Sequence, residues 1–293
     1  MSKATTTELA EVAAPINAIS LLSRPANKEV PDFIAEVQDH GTSELRKYIT
    51  PPRLKVIQGQ RTEKYKDFNP GELVLAPQAM LFARNEEPFY FIPLLFYPEW
   101  ATANPWALKD QLPMFVKGSR TRDPASDVAR RARDADLRDA DKCLDPAGNP
   151  KLDSKGKECY LKHIEFLTYV IVIVGHPEYT GMMVTVSFAK GEHKVGSSFG
   201  LKVDARGCAM WGCIFEGRVP KTERRNSEGA WFGIDVDNPS SPDVPKFVQN
   251  RDEFAALTKM HDELVIQAKL DQLRPDLADE EDFAPAGANE TQF

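Results

Sequence analysis

The run Phe166-Leu167-Thr168-Tyr169-Val170-Ile171-Val172-Ile173-Val174 is almost entirely β-branched or aromatic. Such side chains fit a pleated, buried surface better than a helix, and nine residues are far fewer than a helix needs to cross a bilayer. The run therefore predicts a central buried strand. Downstream, Pro177-Glu178-Tyr179-Thr180-Gly181 is turn chemistry, and Met182 to Phe188 reads as the second arm of a hairpin. Upstream, Leu54 to Ile57, Glu72 to Leu75 and Phe89 to Tyr97 are short strand-like segments bounded by Pro, Gly or Asn. A later hairpin is expected from Met210 to Val219 and Ala230 to Val236, which flank the polar connection Lys221 to Gly229. No repeat recurs at a period of about 20 to 50 residues, which excludes a solenoid or propeller.

The fold class expected is thus mainly β with α+β decorations, a barrel-like core occupying 53–250. Within it, 122–158 holds nine basic and nine acidic residues and few large apolar ones, the composition of a mobile insertion, with a helix expected around Ala125 to Ala140. Residues 1–52 read as a flexible lead-in with one short helix, Phe33 to Ile49, stopped by Pro51-Pro52. In 251–274, Phe254, Leu257, Leu264, Val265 and Ala268 recur at helical spacing and predict an amphipathic helix, which Pro275 ends. The remaining 275–293 reads as a disordered acidic tail.

Charge is unevenly placed. The chain carries −7 overall, but Asp276 to Phe293 contains six acids and no Lys or Arg, so the rest sums to −1 and can still present a basic face. The four cysteines, Cys143, Cys159, Cys208 and Cys213, are too few for a disulfide framework and read as reduced thiols. Zinc held by Cys143, Cys159 and His163 with Cys208 or Cys213 is the sharper alternative, but no C-x2-C pair supports it. No metal or cofactor is therefore expected. A phosphate loop, a G-x-S-x-G elbow and an H-E-x-x-H motif are all missing, which disfavours an enzyme. Met1 to Leu9 lacks the layout of a signal peptide and no run is long enough for a span, so the expected setting is cytoplasmic, without a membrane.

Two basic concentrations stand out. Arg53, Lys55, Arg61, Lys64 and Lys66 fall within fourteen residues that hold one acid, Glu63. Lys190, Lys194, Lys202, Arg206, Arg218, Lys221, Arg224 and Arg225 face four acids across the later hairpin, a net +4. Aromatic residues crowd Phe89 to Trp106 and recur at Trp211, Phe215, Trp231 and Phe232. Single strands of nucleic acid are held by positive grooves along phosphates and by rings on which bases stack, so Tyr97, Trp100 and Trp231 are the candidate platforms. Each of these rings, taken alone, is more often core than platform.

These features resemble the single-stranded DNA-binding proteins of tailed bacteriophages. The resemblance lies in Leu54-Lys55-Val56-Ile57-Gln58-Gly59-Gln60, the Pro70-Gly71-Glu72 turn, Phe91-Ile92-Pro93-Leu94, Val184 to Lys190, the Trp-bearing late hairpin, and the Asp279 to Phe293 tail. It covers roughly 53–293. It implies an OB-fold core, sequence-independent coating of single-stranded DNA in phage replication and recombination, and no catalytic step. It also implies that a Phe-terminated tail, Asp279, Glu280, Glu281, Asp282 and Phe293, regulates DNA binding, recruits polymerase or helicase and supports a homodimer. The DNA-binding side chains expected are Lys55, Arg61, Lys64, Lys66, Tyr97, Trp100, Lys190, Lys194, Lys202, Arg218, Lys221, Arg224, Arg225 and Trp231. The rival reading is a phage structural or host-interaction β domain without affinity for nucleic acid.

Overall fold

The computed structural model describes residues 51–59, 63–76, 78–108, 111–226 and 229–269. The lead-in helix at Phe33 to Ile49, Arg61 and the whole acidic tail lie outside the described residues.

Among the described residues ten strands form: β1 (Arg53–Val56), β2 (Leu73–Ala76), β3 (Met80–Ala83), β4 (Phe89–Ala103), β5 (Lys162–Val174), β6 (Met183–Ala189), β7 (Phe215–Arg218), β8 (Arg224–Asn226), β9 (Gly229–Trp231) and β10 (Asp235–Asp237). Three helices accompany them: α1 (Asp127–Arg133), α2 (His193–Asp204) and α3 (Arg251–Lys269). Eight strands make one sheet in the order β10-β7-β4-β5-β6-β1-β2-β3, while β8 and β9 pair only with each other. The apolar run identified in the sequence is β5, and it sits mid-sheet, paired along nearly its whole length with β4 and then with β6. β4-β5-β6 is an antiparallel meander and β7 returns to lie beside β4, so these four strands have Greek-key order.

The sheet curls into a half-barrel. Although β3 is the last strand of the sheet, its Phe82 ring packs edge-on against Phe89 of β4 at 5.2 Å. The Glu86 amide donates to the Val219 carbonyl at 2.8 Å just past β7. The concave face holds the main core, Leu73, Leu75, Phe91, Tyr169, Ile171, Ile173, Val184, Phe188 and Phe215, and α2 plugs it through the buried Phe199. Gly196 lets α2 approach this closely, because a Cβ there would fall 2.7 Å from the Phe188 Cβ. On the convex face, Ile92, Leu94, Val170, Val172 and Val174 are covered by Leu257 and Leu264 of α3. A strand buried on both faces has no alternation to display, which explains the continuous apolar run.

The segment Arg122 to Glu158, expected to be a mobile insertion, is packed onto the sheet. Ser126 caps α1, its hydroxyl accepting from the Ala129 amide at 3.2 Å, and the small Ala129 and Ala132 rest on Trp100. Its charges pair largely within the segment, Arg131 with Asp127 and Asp141, and Lys142 with Glu158, so charge density did not measure lack of structure. The late hairpin is also more elaborate than its sequence suggests. β7 pairs with β10, and the polar connection between them folds into the separate hairpin β8–β9. Trp211 lies on neither arm: it occupies a 3-10 turn, stacked on His261 of α3 at 3.8 Å.

Candidate nucleic-acid interface

Side chains at paired positions share a sheet face. The registers Tyr97↔Thr168, Glu99↔Phe166, Thr168↔Ser187, Phe166↔Ala189 and Arg53↔Thr185 therefore align one strip of β4, β5, β6 and β1. This is the convex face, at the end beyond Leu257 and Leu264 of α3, and Arg53, Glu99, Phe166, Thr168 and Thr185 are buried there. A further segment joins its edge: Trp100 and Thr121 exchange backbone hydrogen bonds at 2.8 Å each, so Arg120 and Arg122 flank Thr121 and arrive beside Glu99 and Tyr97.

Cations and rings interleave there. The guanidinium carbons of Arg53 and Arg120 lie 5.9 and 5.1 Å from the Phe166 ring centre, and that of Arg122 lies 5.3 Å from the Tyr97 ring. Along β1 the strip continues to Lys55, whose Nζ is 4.4 Å from the Tyr65 ring, with Lys64 Nζ on the same ring at 5.6 Å. Each contact is a cation–π arrangement, strengthened where water is excluded. One carboxylate organises the group: Glu99 accepts from Arg120 Nη2 at 2.8 Å and from the Thr168 hydroxyl at 2.9 Å, all three buried. Burial pushes the Tyr97 phenol well above its ordinary range, against the pull of Arg122, Arg53 and Arg120, so it stays neutral. The arrangement gathers three guanidiniums and two rings around a single acid; Phe166, Arg53 and the Arg120 side chain are buried within it, and Tyr97 and Arg122 are half-buried at its surface.

Beside this strip, Lys190 follows the end of β6, and the β8–β9 hairpin is moored to the adjoining turn Lys190–Glu192. The Glu192 carboxylate accepts from Trp231 Nε1 at 2.6 Å and pairs with Arg224, which also binds Asp235 at 2.5 Å. The Trp231 ring lies so close over Gly191 that a Cβ there would intrude into it. Gln58, two residues beyond β1, exchanges two hydrogen bonds of 2.9 Å with the Phe232 backbone, drawing the hairpin toward the β1 end of the strip.

The expected site residues thus divide. Lys55, Lys64 and Tyr97 lie on the strip, with Lys66 exposed just after the 3-10 turn Glu63–Tyr65. Arg224 and Trp231 belong to the moored hairpin and Lys190 to the turn that holds it, while Lys221 and Arg225 project into solvent. Lys194 is exposed on α2. Lys202, further along α2, is tied to Asp237 and belongs to the concave side, and Arg218 is exposed on β7. Trp100 presents no face to solvent: it is 0% exposed, on the opposite sheet face, under α1, with Arg133 over its ring at 4.4 Å and Nε1 bound to Glu165 at 3.2 Å. The register Trp100↔Glu165 puts it out of phase with Tyr97 and Glu99.

Arg120, Arg122 and Phe166 were not anticipated as site residues. The pattern Arg120-Thr121-Arg122 has the period of two expected of a strand edge, but it stands where the charge-rich segment begins. No protein-family model matches the chain, and neither the curated proteins nor the solved structures give a match. Among the described residues, no group of three or more His, Cys, Asp or Glu is placed to hold a metal ion, and no helix is long and apolar enough to cross a membrane. Cys143 and Cys159 share one apolar cluster, and Cys213 belongs to another, so the candidate zinc ligands do not converge.

Proposed function

We propose that this protein is an OB-type, non-catalytic single-stranded DNA-binding protein that coats strands without sequence preference, as in phage replication and recombination. The observation that carries the reading is the grouping of half-buried Lys55, Arg122 and Tyr97 with exposed Lys64 and Lys66 along one strip of the curled sheet, where buried Arg53, Arg120, Phe166 and Tyr65 hold them in place. Strand order supports the OB assignment. The meander β4-β5-β6, the intervening α2, the return of β7 beside β4 and the addition of β10 beside β7 follow a five-stranded Greek-key barrel. In that scheme β5 and β6 are the second and third strands, whose face binds oligonucleotides. The β4–β5 connection then delivers Arg120 and Arg122, and the β7–β10 connection supplies the basic hairpin, at the two loop positions that clasp a bound strand. The tail, Asp279 to Phe293, is the proposed anionic competitor for the same basic strip and the contact for polymerase or helicase.

Fluorescence anisotropy with labelled oligonucleotides tests this. The full chain and a chain lacking Asp276 to Phe293 are titrated with single strands and duplex at low salt. Single strands of unrelated sequence are expected to bind alike, better than duplex, with affinity falling steeply as salt rises. No binding by either chain at low salt ends the proposal.

A further inference from the structure

Away from the basic strip, at the junction between α2 and the turn before β7, Cys208 and Cys213 bring their sulfurs within 3.4 Å. The two thiols sit in opposite environments. Cys213 is fully buried in the concave core, whereas Cys208 is exposed on the rim of an open cavity of about 480 Å³ that Val203, Asp204, Met210 and Trp211 also line. The turn joining them is held firmly: the Gly212 amide donates to Ala209 at 2.9 Å and Cys213 donates to Met210 at 3.1 Å. Arg206 is pinned alongside by the Ile214 carbonyl at 3.0 Å and by Asn238 at 2.6 Å, its guanidinium 4.0 Å from the Phe215 ring.

We infer that Cys208 and Cys213 form a reversible dithiol–disulfide site, with Cys208 as the attacking thiol and Cys213 as the resolving one, open to small-molecule disulfides such as oxidised glutathione. A disulfide bond is about 2.05 Å long, so the sulfurs need to approach by only about 1.4 Å. Exposure decides the order of events, because a disulfide must reach the attacking sulfur and only Cys208 is accessible. Burial and the hydrogen bond to Cys208 push the Cys213 thiol up to about 11, while Arg206 pulls it the other way, so Cys213 stays protonated until a mixed disulfide faces it. In the first step the Cys208 thiolate attacks one sulfur of glutathione disulfide. A Cys208–glutathione bond forms, the glutathione S–S bond breaks, and one glutathione leaves as thiolate and takes up a proton. In the second, Cys213 gives up its proton and attacks Cys208 Sγ, expelling the second glutathione. Two thiols are oxidised and one glutathione disulfide is reduced to two thiols, which balances.

The test is mass analysis of the intact full-length chain and of its peptides after incubation with oxidised glutathione. In the unmodified sequence the peptide bearing both residues is expected to lose two hydrogens, to carry no glutathione and to recover its thiols with dithiothreitol. Cys213→Ala should stop at the mixed disulfide on Cys208. Cys208→Ser should leave Cys213 unmodified, since Cys213 is itself fully buried. The inference is overturned if, after this incubation and subsequent unfolding, both thiols of the unmodified sequence are still alkylated, or if glutathione stays on Cys208 instead of being displaced. Neither result bears on DNA binding.

Discussion

At the scale of single residues, phase along a strand decides role. Tyr97 and Trp100 are three apart in β4 and therefore face opposite sides of the sheet, one on the basic strip and one under α1. Trp100→Ala is expected to destabilise the fold by about 3–5 kcal/mol, seen as a lower denaturation midpoint, while the affinity of the folded protein for single strands stays unchanged. Arg122→Ala should do the reverse. Stability hardly moves, oligonucleotide binding weakens, and the slope of log K against log salt shrinks by about 0.7 if Arg122 neutralises one phosphate. An unaltered slope and affinity would remove Arg122 from the interface. Burial also leaves a pH signature at Tyr169, whose hydroxyl donates to the Gly196 carbonyl at 3.0 Å and whose pKa is pushed up to about 12. A phenol in the unfolded chain ionises near 10, so below that pH both states are protonated and stability is flat. Between about 10 and 12 only the unfolded state loses its proton, and stability falls by about 1.4 kcal/mol per pH unit. Urea titrations of Tyr169→Phe across this window should show a shallower decline than the parent.

At the scale of elements, the sequence made the strands legible and left the packing between them obscure. The pairing of β5 with β6 followed from a β-branched run and a Pro-Gly turn, both local signals. α2 was missed because His193 to Asp204 contains Gly196 and Gly200, residues that lower helix propensity but are needed where the helix lies on Phe188 and Tyr169. α1 falls inside the helix expected around Ala125 to Ala140, but its charges, which pair at i,i+4 and across to Asp141 rather than remaining solvated, hid its packing on the sheet. The two faces of β5 could not be told apart because both are apolar, and so Phe166 gave no sign that it would sit among guanidiniums. The small hairpin β8–β9 is the clearest case of tertiary dependence, since an isolated two-stranded ribbon is marginal in water. Its anchors are Trp231 over Gly191 and the Glu192 carboxylate shared by Trp231 and Arg224. Gly191→Ala is expected to lift the Trp231 ring, shift tryptophan emission to the red and speed trypsin cleavage after Arg224, which the moored hairpin shields. Single-strand binding should drop by about 1–3 kcal/mol, the worth of one stacked base, if Trp231 is a platform. A released hairpin with unchanged affinity would confine Trp231 to a purely mooring role.

At the scale of the molecule, the overall −7 and the basic strip are reconciled by where the charge resides. Six acids are confined to Asp276 to Phe293, so removing that segment takes the chain to −1 without touching any strand of the sheet. A tethered polyanion competes with a free one through its local concentration, and the competition is electrostatic on both sides. Deleting Asp276 to Phe293 is therefore expected to tighten binding of labelled single strands most at low salt. The gain should shrink as ionic strength rises and the screening length falls, to about 8 Å at 0.15 M. Replacing the six acids by Asn and Gln should reproduce the deletion, whereas Phe293→Ala alone should not, because a phenyl ring carries no charge to compete for the strip. Equal affinity of the full and truncated chains across the salt series would show that the tail does not enter the DNA-binding face, and the strip would then have to bind single strands unassisted and unregulated by its own chain.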